Sequence, residues 1–176
     1  MQKFPMSKKL VRIKGIFDFS GLYSYMKKWM VDRHYEFHEK RFKEKPKGHF
    51  FPDKEINWWA EKKLTDYIMF RIDIYMHLWD TEHIQITKDG KKEEMVNGRM
   101  QVEIKGEIIT DYSNEFEKSS FFKKIENFLN MRVLYKDILL KYLDSFDYEL
   151  YAFENDIKKY LGMEASETAY GIPHPF

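Results

Sequence analysis

Apolar and polar residues alternate along two stretches in the middle of the chain, and this period of two is typical of half-buried β-strands. In residues 67–79 the even positions from Ile68 to Leu78 are all apolar, and in residues 96–110 the even positions are mostly valine, isoleucine, methionine and glycine. The two stretches therefore predict an antiparallel hairpin whose even-numbered side chains form the core face.

The dipeptide Asp89-Gly90 is the strongest turn signal between these two strands. A two-residue turn would set even positions against odd ones and bury charges, so the pattern favours a three-residue loop, Lys88-Asp89-Gly90, which pairs Thr87 with Lys91. The same register predicts three core pairs: Ile72 with Gly106, Ile74 with Ile104, and Met76 with Val102.

The N-terminal third predicts a strand, a helix and an edge strand. Residues 9–17 alternate in polarity, and after them Asp18 or Ser20 can cap a helix whose apolar residues from Phe19 to Met30 recur every three or four positions. Residues 35–45 favour an edge strand. Two prolines and a glycine in residues 46–53 then indicate a mobile loop.

The C-terminal part is helical in pattern. After Ser119-Ser120 there is no proline or glycine before Gly162, and apolar residues recur at helical spacing. One unbroken helix there would be about 60 Å long at 1.5 Å per residue, which exceeds the size of the domain. We therefore expect a break at 144–147, where Ser145 can cap a restart.

These elements predict an α+β fold in which a curved antiparallel sheet carries one N-terminal helix and a long, broken C-terminal helical segment. Residues 1–162 form a single domain in this interpretation, and residues 163–176 form a tail. The element order resembles that of helix-grip domains, many of which hold an apolar ligand between helix and sheet. The resemblance is one of element order, and no motif assigns the chain to a family.

Composition narrows the classes of function. The chain has 176 residues, 43% of them hydrophobic and 18% aromatic, which is enough to bury the core of one domain. It has no cysteine, which fits the reducing cytoplasm and excludes thiolate chemistry. No signal peptide, membrane-spanning run, phosphate loop or serine nucleophile elbow is present in the sequence, so we expect a binding protein without a cofactor rather than an enzyme.

The candidate binding residues lie on the odd-numbered face of the central strand and in a tryptophan pair. Charged residues amid amphipathic aromatics are typical of a ligand site or an interface core. In a strand, Trp58 and Trp59 point to opposite faces, so one of them enters the core and the other does not. The residues we expect to bind a ligand or partner are Trp58, Trp59, Arg71, Asp73, Tyr75, His77 and Trp79.

A basic segment gives an alternative function. Lysine and arginine outnumber acidic residues in positions 1–63, whereas acidic residues predominate in positions 64–176. Such a segment can contact nucleic acid or an anionic membrane, or it can pair with the chain's own acidic part. The nucleic-acid hypothesis depends on the basic run Lys40, Arg41, Lys43, Lys45 and Lys47.

Two histidine clusters give a third hypothesis, a metal-dependent enzyme. His34 and His38 are four residues apart, which suits a shared metal ion in either a helix or a strand. The second cluster consists of His77, Asp80, Glu82 and His83. The first pair lacks the glutamate that a zinc-peptidase motif places directly after the first histidine, and a solvated histidine pair is its simpler interpretation. The second cluster is near a predicted bend of the hairpin, and loops commonly carry such residues.

The leading hypothesis is a non-enzymatic binding domain. It takes either an apolar small molecule between sheet and helix or a protein partner, including a second copy of the chain, on the aromatic face.

Overall fold

The computed structural model describes residues 1–47, 50–88, 91–113 and 138–163. The elements are β1 Gln2–Pro5, β2 Lys9–Phe17, α1 Phe19–Asp32, β3 Glu36–Lys47, β4 Phe50–Lys63, β5 Ile68–Lys88, β6 Lys91–Thr110, a π-helical segment Ile138–Leu143, and α2 Asp144–Tyr160. The fold is α+β, as the sequence predicts.

The strands form one open antiparallel sheet in the order β1-β6-β5-β4-β3. β2 also pairs with β6, over residues 96–104, whereas β1 pairs with the end of that strand, over residues 107–110. The edge position of β3 agrees with the predicted edge strand. β1 was not predicted, because four residues are too few to establish a period.

The predicted parity of the central hairpin is confirmed. Ile72 lies opposite Gly106, Ile74 opposite Ile104, and Met76 opposite Val102. Phe70 is 3% exposed, Ile74 2% and Ile104 0%. The even-numbered side chains of β5 and β6 therefore share the buried face of the sheet.

The predicted three-residue loop is wrong. Lys88 pairs with Lys91, so the connection contains two residues, and the odd residue is accommodated by a bulge between the pairs Trp79–Arg99 and Glu82–Asn97. Asp80 in this bulge has a φ of 53°. A bulge within β5 shifts parity by one residue, so the two-residue connection and the buried even face are compatible.

Both helices pack on the even face. Phe146, Leu150, Phe153 and Ile157 line the buried side of α2, and Phe146 stacks on Phe70 with the ring centroids 4.2 Å apart. α2 comes closest to the sheet at Gly106, where a Cβ would lie 2.5 Å from Leu150 Cδ1 and 2.8 Å from Phe146 Cε1. The absence of a side chain at Gly106 is what allows this approach.

Helix α1 begins as predicted. Gly21 N donates to Asp18 Oδ1 at 2.8 Å, which satisfies one of the free N–H groups of the first turn. Tyr160 Oη donates to Asp18 Oδ2 at 2.9 Å and so links the end of α2 to the start of α1. The buried side of α1 consists of Leu22, Met26, Trp29 and Met30.

The predicted loop at 46–53 is much shorter than expected. β3 extends to Lys47 and β4 begins at Phe50, which leaves a connection of two residues that lies outside the described part. Pro46 and Pro52 are therefore in strands. Pairing of β4 with β5 begins only at Lys54, so the turn end of the β3–β4 hairpin extends beyond β5. Proline has no N–H to donate, and in this part of the hairpin β5 offers no hydrogen bond that it would lose.

The C-terminal helical segment shows no cap by Ser145. The π-helical segment continues into α2 at Leu143, which itself has helical φ and ψ of −65° and −50° and makes no side-chain capping hydrogen bond. The predicted irregularity is thus a change of helix type. α2 ends at Tyr160, and Gly162, just after the C-cap residue Leu161, has a φ of 65° and an N–H that donates to Lys159 O. The start of the predicted helical segment, at 119–137, and all of the predicted tail after Met163 lie outside the described residues.

Candidate functional site

The odd-numbered side chains of β5 lie on the side of the sheet opposite to the helices, because successive side chains of a strand point to opposite faces. We call this surface the odd face; it comprises the outward side chains from Arg71 to Trp79 and their neighbours on β2, β3, β4 and β6. Three cross-strand pairs fix its layout: Trp59 with Asp73, Tyr75 with Glu103, and Trp79 with Arg99. The β5 side chains here are half-buried.

The tryptophan pair divides between the two faces. Trp58 is 2% exposed and packs edge-on against Tyr23 and Phe37, at centroid distances of 4.5 and 4.8 Å. Trp59 lies on the odd face. The ring of Trp58 therefore belongs to the core, and on the odd face this residue contributes only to the lining of the central cavity described below.

Two side chains lie against the ring of Trp59. His38 stacks on it with the centroids 4.1 Å apart and an interplanar angle of 20°. The guanidinium of Arg71 lies 5.2 Å from the ring centroid. A cation so placed is attracted by the π electrons, and the stack fixes the orientation of all three side chains.

Arg71 is also held by two carboxylates. Its Nε and Nη2 donate to Asp73 at 3.0 Å each, and Nη1 donates to Glu61 at 3.2 Å. The hydrogen bonds to Asp73 raise the pKa of Arg71, against a smaller opposing effect of burial. The predicted Arg71–Asp73 pair is present, and it leaves the guanidinium committed to the chain's own acidic groups.

Three aromatic residues form a column along β5. The centroids of Tyr75 and His77 are 6.2 Å apart, and those of His77 and Trp79 are 4.8 Å apart. Arg99 covers the Trp79 ring at 5.3 Å. The sequence predicted the column from the period of β5, whereas the part played by Arg99 depends on the register with β6.

A cavity of about 150 Å³ opens beside Tyr75 in the middle of the odd face. Hydrogen bonds from Lys105, assisted by Lys8, lower the pKa of Glu103, so this carboxylate is charged at neutral pH. The cavity is lined by Lys40, Asn57, Trp58, Asp73, Ile74, Tyr75, Glu103 and Lys105. Its lining combines charged side chains of both signs with the apolar residues Trp58 and Ile74.

A larger cavity, of about 450 Å³, lies at the bulge end of the odd face. Sequence reasoning missed it. Its only sequence signal was a glycine at a strand position in each of β2 and β6, and their pairing was not predictable. The lining residues are Lys14, Gly15, Asp80, Glu82, Asn97, Gly98 and Arg99.

The first histidine pair is not on one regular element. His34 lies in the turn after α1 with a φ of 63°, whereas His38 lies in β3 and stacks on Trp59. The premise that one helix or strand carries both imidazoles is therefore wrong.

The second histidine cluster is divided among different partners. His77 belongs to the aromatic column, Asp80 forms an ion pair with Arg99, and His83 Nδ1 lies 3.0 Å from Glu94. In the part of the chain that the structure describes, no group of three or more histidine or carboxylate side chains is placed to hold a metal ion.

The basic run lies in the edge strand β3, where Lys40 is exposed and the side chains from Arg41 to Lys47 are outside the described set. Several other N-terminal lysines pair with acidic residues later in the chain, which is the simpler of the two interpretations of the charge asymmetry. Four such pairs are Lys3–Glu107, Lys8–Glu103, Lys9–Asp147 and Lys62–Glu149, at N–O distances of 2.9 to 3.5 Å.

No protein-family model matches the chain, and no curated protein matches it either. The odd face must therefore be interpreted from its own residues. Among the helices in the described ranges, none is long and apolar enough to cross a membrane.

Proposed function

We propose that the protein is a non-enzymatic binding domain whose odd face holds another protein, and that this partner is a second copy of the chain. The main observation in its support is that aromatic and arginine side chains of the odd face stack on one another in fixed positions. The cysteine-free composition supports the cytoplasm as the compartment.

The side chains of the odd face are of the kind that dominates protein interfaces. Tryptophan, tyrosine and arginine contribute most of the binding energy at interfaces, especially where they are central and already ordered. Trp59 is ordered by His38 and Arg71, and Trp79 by His77 and Arg99. Binding a partner would therefore cost little side-chain conformational entropy, because these side chains are already ordered in the free protein.

The charges of the odd face change sign along the strands. At one end Glu61, Asp73 and Glu107 surround Arg71, with Lys105 opposite Asp73, and at the other end Arg12 and Lys14 of β2 lie on the same face as Arg99, which forms an ion pair with Asp80. A two-fold axis can lie parallel to the sheet and cross the strands at Tyr75. Two copies related by this axis meet face to face, and the acidic end of each copy then lies over the basic end of the other. A two-fold arrangement uses the same surface on both copies and closes on itself.

The size of the odd face suits such a contact. The eight-residue step from Arg71 to Trp79 spans about 27 Å at 3.4 Å per residue, and five neighbouring strands span about 19 Å. The projected area is on the order of 500 Å² before side-chain relief is counted. That approaches the ~800 Å² per partner of a standard interface.

The same contacts argue against the other proposed occupants. A nucleobase that stacked on Trp59 would have to displace His38 or Arg71, and the carboxylates of Glu61 and Asp73 beside Arg71 would repel a phosphate backbone. The apolar-ligand hypothesis stays a prediction. The close fit of α2 at Gly106 leaves no space for a ligand at that point of the sheet-to-helix layer.

Sedimentation equilibrium and native mass spectrometry of the purified protein test the proposal. We expect a dimer at micromolar concentration. Reversing one charge at either end, by Arg99→Glu or Glu107→Lys, should weaken dimerisation at least tenfold, because each change sets like charges together at both ends of the dimer. Mixing the two variants should restore a heterodimer, since each variant then meets the opposite charge.

The control is Tyr148→Ala, which removes an aromatic side chain that is 75% exposed on α2, away from the odd face. It should leave dimerisation unchanged. A protein that stays monomeric at hundreds of micromolar overturns the proposal. So does a dimer that the Tyr148 variant weakens and the two charge reversals do not.

A further inference from the structure

The cavity at the bulge end of the odd face has a floor of backbone. Gly15 and Gly98 are cross-strand partners, and both contribute to the lining of the cavity. Gly15 has a φ of 133°, and a Cβ on Gly98 would lie 2.9 Å from Thr81 Cα in the bulge. The bulge bends β5 so that Asp80 and Glu82 form one wall, opposite Lys14. Unusual backbone conformations of this kind cluster at ligand sites.

Four charged side chains line the cavity, and they divide into two groups. Arg99 and Asp80 form an ion pair with each other, and Arg99 also covers Trp79. Lys14 and Glu82 have no ion pair or hydrogen bond with any residue among those described. One cation and one anion therefore face the same cavity from opposite walls, and each is available to a ligand.

The mixed charges exclude two common ligand classes. A phosphate or nucleotide would meet Asp80 and Glu82, which repel it. A metal cation would meet Lys14 and Arg99, and the two carboxylates do not form a group of ligands for it. A ligand that satisfies both walls must carry one positive and one negative charge.

We propose that this cavity binds a small elongated zwitterion of the dipeptide class, with its ammonium at Glu82 and its carboxylate at Lys14. Lys14 pairs with Arg99 and Glu82 pairs with Asn97, so the two positions are two strand spacings apart across the sheet and two residues apart along it, about 12 Å in all. The charges of an extended dipeptide are about 6 Å apart, and an ion pair of about 2.8 Å at each end brings the total to about 12 Å. The side chain of Asn97 lies between the walls, where it can hydrogen-bond the ligand's peptide group.

The inference goes beyond the proposed self-association and does not depend on it. Lys14 and Arg99 belong to both surfaces, so a bound zwitterion and a second copy would compete. Binding is therefore measured on the unaltered chain and also on Glu107→Lys, whose changed residue lies at the other end of the odd face. If the protein proves monomeric, the proposed function fails and the binding experiment is unaffected.

The experiment is a titration of the isotope-labelled protein with glycylglycine, followed by backbone amide NMR and by calorimetry. We expect saturable shifts centred on Gly15, Asn97 and Gly98. N-Acetylglycylglycine and glycylglycinamide each lack one of the two charges, and glycine carries the charges too close together. Each should bind at least about tenfold more weakly, which is the effect of losing one charge-assisted hydrogen bond.

The variants Lys14→Met and Glu82→Gln should each weaken glycylglycine binding by a similar factor. Their matched controls are Lys92→Met and Glu93→Gln, two exposed residues of β6 outside the cavity, and these should bind as the unaltered chain does. The proposal fails if glycylglycine gives no saturable shift at tens of millimolar. It also fails if sodium chloride or the charge-blocked peptides reproduce the shifts.

Discussion

The close approach of α2 to the sheet at Gly106 makes Gly106→Ala a sensitive test of how the two layers fit. The added methyl would lie 2.5 Å from Leu150 Cδ1 and 2.8 Å from Phe146 Cε1, roughly 1 Å inside an ordinary contact. Both side chains are fully buried, and Phe146 is stacked on Phe70, so neither can turn away freely.

Overpacking of this kind costs about 1–3 kcal/mol. Replacing glycine also lowers the entropy of the unfolded chain, which offsets about 0.4–1 kcal/mol. We therefore expect Gly106→Ala to reduce the free energy of unfolding by about 1–2 kcal/mol. In a chain of this length that corresponds to a fall in Tm of roughly 2–8 °C.

The assay is urea denaturation followed by tryptophan fluorescence, with the double-mutant cycle Gly106→Ala and Leu150→Ala. Leu150→Ala alone should cost about 2–5 kcal/mol because it leaves a cavity. The methyl at position 106 should partly fill that cavity, so the double variant should be more stable than additivity predicts by about 0.5–3 kcal/mol.

The control is Lys105→Ala, next to Gly106 on the opposite face, where the side chain is 60% exposed. Its surface ion pair with Glu103 should contribute at most about 1 kcal/mol. A Gly106→Ala variant as stable as the unaltered chain, or a cycle without coupling, would show that α2 is not seated on β6 at this point.

Three further predictions concern single side chains. Asp18→Ala should destabilise the protein by about 1–2 kcal/mol in urea, since it removes the N-cap of α1 and the partner of Tyr160; a loss below about 0.5 kcal/mol would contradict the role of the cap. Trp58→Ala should cost about 3–5 kcal/mol because Trp58 is in the core, whereas Trp59→Ala should cost far less, and equal losses would contradict the division of the pair between the two faces. Burial, with a contribution from Asp18, raises the pKa of Tyr160 from 10.0 to about 12. The folded state therefore keeps this proton longer than the unfolded state, so the contribution of Tyr160 to stability is present below pH 10.0 and is lost as the pH rises through about 12. Urea midpoints across that range should fall less steeply for Tyr160→Phe than for the unaltered chain.

The odd face shows how far sequence reasoning reached into the candidate site. The period of β5 placed Arg71, Tyr75 and Trp79 together on one face, because side-chain direction in a strand depends only on position along the chain. The sequence did not predict which side chains on neighbouring strands lie next to each other. Arg99 over Trp79 and His38 over Trp59 depend on registers that the sequence does not state.

The sequence by itself determined β2, α1 and the buried face of the central hairpin, because alternation and capping are local properties of the chain. It could not distinguish a three-residue loop from a two-residue connection with a bulge at Asp80–Thr81, since both give the same core pairs on the far side of the bulge. Only the tertiary structure decided that choice. The extra residue lies where cross-strand packing accepts it, opposite Gly98 beside Gly15, and there it forms the cavity that the linear pattern did not show.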